Sequence, residues 1–234
     1  MRDKIAYITG GSKGIGFGVA KALLEQGMRV AITSRSKEGA VAAARQLGSD
    51  TSRVLGLQSE VGSMDSEIAA VNAVVDHFGG LDVVVANAGV GHFASIEDLS
   101  EALWQETIST NLTGVFNTVK ASIDALKASQ GYIITMASLA GTNFFESASA
   151  YNASKFGLVG FTQAVMLDLR KYGIKVTTIM PGSVATHFNN HEPNESDSWK
   201  IQPEDIGQMV VDLLRMHPRT LPSKIEVRPL KPGK

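Results

Sequence analysis

The chain has 234 residues, 44% hydrophobic and 19% charged, with 23 glycines, a net charge of −1 and no cysteine. That length suits one large α/β domain, and the near-neutral charge leaves no electrostatic footprint for nucleic acid or an anionic membrane. The missing cysteines exclude disulfides, thiol nucleophiles and thiolate-held metals.

No apolar run approaches the ~20 residues of a spanning helix. The N-terminus, MRDKIAYITG, lacks the apolar core and cleavage site of a signal peptide, so a soluble cytoplasmic protein is expected. Residues 5–9 read as a first strand. GGSKGIG follows, and then Ile15, Val19, Leu23 and Leu24 recur at helical spacing up to Gly27. Residues 28–33 read as a second strand, and the alanine-rich 37–47 as a helix closed by Gly48. A weaker third strand covers 53–58. Ile68, Val71, Val75 and Phe78 mark a helix stopped by Gly79 and Gly80. Residues 81–86 are apolar apart from Asp82, as in a strand buried on both faces. One long helix is expected over about 100–128, a fifth strand over 132–136, and a helix through Tyr151 to about Tyr172 and Gly173. Residues 174–180 form a sixth strand ended by Pro181 and Gly182. The polar stretch 187–200 reads as a loop or lid, and Pro203 opens a helix as a first-turn proline does. A last strand is expected near 225–230, with a frayed tail behind it.

This alternation predicts a parallel sheet with helices on both faces in a single α/β domain, 1–234. Ligands of such sheets bind beyond the carboxyl ends of the strands. After the first strand stands Thr9-Gly10-Gly11-Ser12-Lys13-Gly14-Ile15-Gly16. Its glycines let backbone approach a pyrophosphate, and the helix start supplies N–H donors. After the second strand, where an NAD site shows an acid for the ribose 2′-hydroxyl, the sequence reads Thr33-Ser34-Arg35-Ser36. Arg35, with Lys13, instead offers cations to a 2′-phosphate, which favours NADP(H). Glu60 and the Val61 backbone follow the third strand and are candidates for the adenine amino group. Asn87-Ala88-Gly89 follows the fourth, with small residues beside a ligand and an amide able to tie strand ends.

Asn111 lies inside the long helix, where asparagine is a mediocre former; it holds a water or bends the helix. Ser138 ends the fifth strand. Tyr151 and Lys155, at i and i+4, share a helix face. An ammonium beside a phenol stabilises the phenolate, so the Tyr151 pKa is expected to fall toward neutral pH, where it serves acid–base chemistry. After the sixth strand comes Pro181-Gly182-Ser183-Val184-Ala185-Thr186, whose Val184 backbone and Thr186 hydroxyl suit a carboxamide. Phe144 and Phe145 are read as lining a pocket rather than merely packing, and Phe93 has the same two readings. His187 and His191 have the spacing of a metal pair, but the Asn, Pro and Ser around them argue for a loop, and no metal site is expected.

Taken together, TGGSKGIG (9–16), NAG (87–89), Asn111, Ser138, YNASK (151–155) and PGSVAT (181–186) resemble the short-chain dehydrogenase/reductase family, in family order. The resemblance implies a three-layer, doubly wound Rossmann-type fold, a nicotinamide cofactor and an Asn111–Ser138–Tyr151–Lys155 tetrad. In it Ser138 would bond the carbonyl oxygen and Tyr151 would donate the proton. Lys155 would also hold the nicotinamide ribose, and Asn111 would position a relay water. It implies a small carbonyl or alcohol substrate, with a β-ketoacyl–acyl-carrier-protein reductase as one assignment. It also implies a homodimer or homotetramer, and a substrate loop at 186–203. The alternatives are an NADP-dependent alcohol dehydrogenase working oxidatively and a non-catalytic NADP-binding sensor. Glu60 stands where the family usually has aspartate, and SKIEVRPLKPGK lacks the family's frequent Val-Asp-Gly-Gly-type ending.

Overall fold

The computed structural model describes residues 1–231; the end of the tail, 232–234, lies outside them. Seven parallel strands form one sheet in the order β3-β2-β1-β4-β5-β6-β7. They are β1 Ile5–Ile8, β2 Arg29–Ser34, β3 Val54–Gln58, β4 Val83–Ala86, β5 Tyr132–Met136, β6 Lys175–Pro181 and β7 Lys224–Val227. The helices are α1 Gly14–Glu25, α2 Lys37–Leu47, α3 Met64–Phe78, α4 Glu101–Ile108, α5 Gly114–Ser129, α6 Ser149–Leu169 and α7 Pro203–Arg215.

The alternation of strand side chains divides the core in two. Ala6, Ile8, Val83, Val85 and Ile134 face the layer with α1 and α7, whereas Ile5, Tyr7, Val84 and Ile133 face the layer with α3, α5 and α6. Every residue of β1, β4 and β5 is buried, which is why these strands read as unbroken apolar runs. The result is a three-layer, doubly wound Rossmann-type domain. Strand order reverses between β1 and β4, where Ile8 lies opposite both Ile32 and Val85. At that switch point the crevice beyond the strand ends opens.

The expected helix over 100–128 is interrupted. A π-helical turn, Ser109–Thr113, separates α4 from α5. Asn111 sits in this turn with its amide bonded to Val90 and Ser154, and such bulges recur at functional sites. The polar 187–200 stretch carries two short 3-10 turns, Phe188–Asn190 and Glu195–Asp197. Asp197 is its charge hub. Buried Asp197 accepts from His191 Nε2 and from Lys200 Nζ, each at 2.6 Å, and from the Asn194 amide at 3.1 Å. Lys200 first and His191 second hold its carboxyl well below the usual carboxylate range.

Candidate active site

The glycine turn joins β1 to α1. Gly10 and Gly14 have φ of +63° and +57°, a region that favours glycine. A Cβ on Gly16 would lie 2.6 Å from both Asn87 Nδ2 and Gly10 O, so only glycine lets the NAG turn pack on this loop. Asn87 Nδ2 donates to Thr9 O at 2.9 Å and Gly10 O at 3.1 Å, tying the ends of β1 and β4 across the switch point. Thr9 Oγ1 accepts from the amides of Asn87 and Ala88, at 3.0 and 3.1 Å. Ser36, Ser63 and Ser100 cap α2, α3 and α4 with their side chains, whereas Lys13 gives α1 no side-chain cap. The first N–H groups of α1, at Gly14, Ile15 and Gly16, therefore point into the crevice as anion donors. A pyrophosphate fits this cradle, with Ser12 and exposed Lys13 at its lip. Thr186 closes the far side, its Cβ and Cγ2 3.3 Å from where a Gly14 Cβ would be. Pro181, Gly182 and Val184 lead into it from the end of β6, and Val184 bridges to Ile201.

Arg35 and Glu60, expected to meet the adenosine half of a dinucleotide, follow β2 and β3 and are both exposed. Glu60 is exposed and its Oε1 accepts from the Gly62 amide at 3.4 Å. Val61 is buried, and its carbonyl accepts from Asn117 Nδ2 at 2.8 Å. Arg35 is mostly exposed. Its Nη1 lies 3.8 Å from Glu106 Oε1 on α4, and Glu106 Oε2 meets His92 Nε2 at 3.0 Å. Neither partner was legible in the sequence, because exposed helical glutamates are ordinary and α4 is remote in chain order.

The catalytic candidates meet at the ends of β4 and β5. Ser138 leaves β5 in extended conformation, and its Oγ accepts from the Ala140 amide at 3.1 Å. Tyr151 and Lys155 project from the first turns of α6. Lys155 is buried, and its Nζ donates to Met136 O at 3.0 Å. Asn111 is fully buried. Its Oδ1 accepts from Val90 N at 2.8 Å, and its Nδ2 donates to Val90 O and Ser154 Oγ at 2.9 and 3.1 Å. The Asn111 amide is thus committed to bracing the 89–90 loop. A Cβ on Gly89 would lie 3.3 Å from Asn111 Oδ1 and 3.7 Å from Lys155 Nζ, so both groups flank that glycine.

Two expectations are overturned. The Tyr151 pKa does not fall; burial pushes it up to about 12, and the Ser138 hydroxyl pulls it back only in part. Lys155 Nζ stands 5.6 Å from the phenol ring centroid and is itself desolvated, with its pKa down to about 8. Burial disfavours both charged forms, and here it outweighs their mutual attraction. Phe144, in turn, was expected to line a pocket. It stacks on Phe156 at 5.2 Å and is 82% exposed. The rings that do meet Tyr151 are Phe93 at 5.4 Å and Phe188 at 5.6 Å. Of these, Phe188 stood unflagged in a polar stretch, and no local pattern would have singled it out.

The family model described as short chain dehydrogenase matches residues 4–197. The chain belongs to that family. A Streptomyces coelicolor protein provisionally named a ketoacyl reductase is 33% identical over 227 residues, covering 95% of this chain and 87% of its own. An alcohol dehydrogenase from the archaeon Thermococcus sibiricus, solved with 5-hydroxy-NADP, superposes with a TM-score of 0.92 at 28% identity, over the whole of both chains. A 3-ketoacyl-(acyl-carrier-protein) reductase from Brucella melitensis, solved with NADH, gives a TM-score of 0.89 at 25% identity over 98% of each chain. This short chain dehydrogenase is therefore an oxidoreductase, and a nicotinamide dinucleotide is its class of cofactor. Among the described residues no helix is long and apolar enough to cross a membrane.

Proposed function

We propose that the protein is an NADPH-dependent reductase of a ketone or aldehyde. The observation that carries this is the meeting of Ser138, Tyr151 and Lys155 at the ends of β4 and β5, beside a glycine cradle with unspent N–H donors. The bound nicotinamide would supply the hydride to the carbonyl carbon. As charge grows on the carbonyl oxygen, the Ser138 hydroxyl donates to it and the Tyr151 phenol delivers its proton. A phenol held at about 12 is fully protonated at neutral pH, so it starts as a loaded donor. In the oxidative direction the same groups run in reverse, with Tyr151 as the base. Lys155 would hold the ribose hydroxyls of the bound dinucleotide and pass a proton back to Tyr151. Asn111 fixes the backbone beside that path.

NADPH over NADH is supported by Arg35 and Lys13, the exposed cations at the mouth of the cradle, and by the absence of an acid at the end of β2. The Thermococcus relative's 5-hydroxy-NADP agrees with this and the Brucella relative's NADH does not. A 3-oxoacyl thioester is one substrate within the proposal, on the names of the relatives. A homodimer or homotetramer is supported by the outer stripe of α6, where Ala153, Phe156, Gly160, Ala164 and Leu167 are exposed and uncharged; sedimentation velocity reads the assembly. The deciding experiment is Tyr151→Phe. Turnover of carbonyl substrates should fall by about 10²-fold or more while the NADPH dissociation constant stays within about threefold. Turnover retained by the variant would remove Tyr151 as proton donor.

A further inference from the structure

Three aromatic rings from three separate segments converge beside the reacting phenol. Phe93 lies in the loop after β4, Tyr151 on α6, and Phe188 in the first 3-10 turn of the 187–200 stretch. Their centroids are 5.4, 5.6 and 6.4 Å apart, tilted or edge-on, within the range that aromatic pairs favour. Gly91 forms the floor. A Cβ there would overlap the Phe188 ring and stand 3.0 Å from Phe93 Cε2, so the ring lies flat on bare backbone. Phe93 is still 45% exposed, and Phe188 rides on a segment whose Asn189 has φ of +54°. The cluster is thus apolar and partly open to solvent.

Its charge is equally specific. Segments 87–98, 138–154 and 183–199, which carry Phe93, Tyr151 and Phe188, contain no lysine or arginine; the nearest cation, Lys155, is buried, its Nζ 5.6 Å from the Tyr151 ring. They carry Glu97, Asp98, Glu146, Glu192, Glu195 and Asp197 instead. Asp197 is engaged by His191 and Lys200, so even those cations are unavailable to a ligand. An anionic carrier finds no exposed lysine or arginine in these segments to pair with, whereas an uncharged ring gains aromatic contact.

We infer that Phe93 and Phe188 select the substrate, and that it is an uncharged aryl ketone or aldehyde whose ring packs between Phe93 and Phe188 beside Tyr151. This rests on the carbonyl-reductase reading above. It narrows that reading away from anionic thioesters.

The test compares acetophenone, 2-butanone and acetoacetyl-CoA with NADPH and NADH, in the wild-type chain and in Phe188→Ala and Phe93→Leu. Benzamide serves as a non-reducible competitor. Acetophenone should exceed 2-butanone in kcat/KM by about tenfold or more, in line with ~0.5–1.5 kcal/mol per aromatic contact and two such contacts. It should exceed acetoacetyl-CoA further. Phe188→Ala should shrink the first ratio to within about threefold, through KM, and weaken benzamide inhibition in parallel. An unchanged ratio in both variants, or a uniform rise for all three probes, would reduce Phe188 to a steric lid and overturn the inference. Preference for acetoacetyl-CoA would overturn it while sparing the reductase reading. No turnover of any probe by a chain that binds NADPH would refute the reductase reading, and this inference with it.

Discussion

Replacing Lys155 by methionine should stabilise the folded protein while it abolishes turnover. Methionine keeps the length and apolar stem of lysine and drops the ammonium. Lys155 is buried, and its pKa stands at about 8 against an ordinary 10.5, with burial as the cause. At ~1.4 kcal/mol per unit, keeping that ammonium in the folded state near neutral pH costs ~3 kcal/mol. The variant also orphans the Met136 carbonyl, which now accepts from Nζ at 3.0 Å; that returns ~1 kcal/mol. The net expectation is ~2 kcal/mol in favour of methionine at neutral pH, or ~4–8 °C in Tm for a chain of this size. The pH dependence separates this from a packing effect. Because the folded pKa lies below the unfolded one, the unfolded chain holds more protons between about pH 8 and 10.5, and wild-type stability rises with pH across that window. The advantage of methionine should therefore shrink by ~2 kcal/mol between about pH 7 and pH 9.5. Urea denaturation at both pH values, without dinucleotide, reads the two free energies. A variant less stable than wild type at neutral pH, or a gap that ignores pH, would refute the reasoning.

Two further substitutions address the cofactor cleft. Arg35→Asp should weaken NADPH by about tenfold or more and leave NADH within about threefold, measured by fluorescence titration; equal losses would remove Arg35 from the 2′-phosphate. Gly16→Ala puts a Cβ 2.6 Å from Asn87 Nδ2 and Gly10 O, so it should abolish detectable binding of either dinucleotide in a chain whose circular dichroism is unchanged; tight binding would show that the turn can widen.

The strands and the glycine turn were legible because each is written in local periodicity. Residues 132–136 are wholly buried and apolar enough to need no tertiary information, and the observed β5 has those same bounds. The long helix was misread at Asn111, which sits in a π turn with its amide bonded to Val90 and Ser154, partners that lie far off in the sequence. Glu67 shows the same limit. On a helical wheel it is one more charge, yet it is fully buried, accepting from Tyr7 at 3.0 Å and Thr118 at 2.7 Å, with Ser59 a third donor. That knot joins β1, α3 and α5 beneath the Val61 end of the cleft and raises the Tyr7 pKa well above its usual value, through burial first and the carboxylate second. Sequence spacing brought Tyr151 and Lys155 to one face, but it carries no measure of solvent, and solvent decides their charge.

That last point has a direct test. Spacing alone predicts a phenolate favoured by the nearby ammonium, whereas the structure surrounds the phenol with Phe93, Phe188 and apolar backbone. The two arguments differ by several pKa units in opposite directions, so they cannot both hold. Ultraviolet difference absorbance of tyrosinate, wild type minus Tyr151→Phe, isolates one of the four tyrosines. With the phenol at about 12, the difference should stay flat up to about pH 10, where an ordinary tyrosine is already half ionised. A step below about pH 9 would mean that Lys155 outweighs burial and that Tyr151 is poised between donor and base. A flat trace would place the burden elsewhere. The proton must then leave Tyr151 only when a neighbouring oxygen becomes more basic than the phenolate, and the developing alkoxide of a reduced carbonyl is such an oxygen.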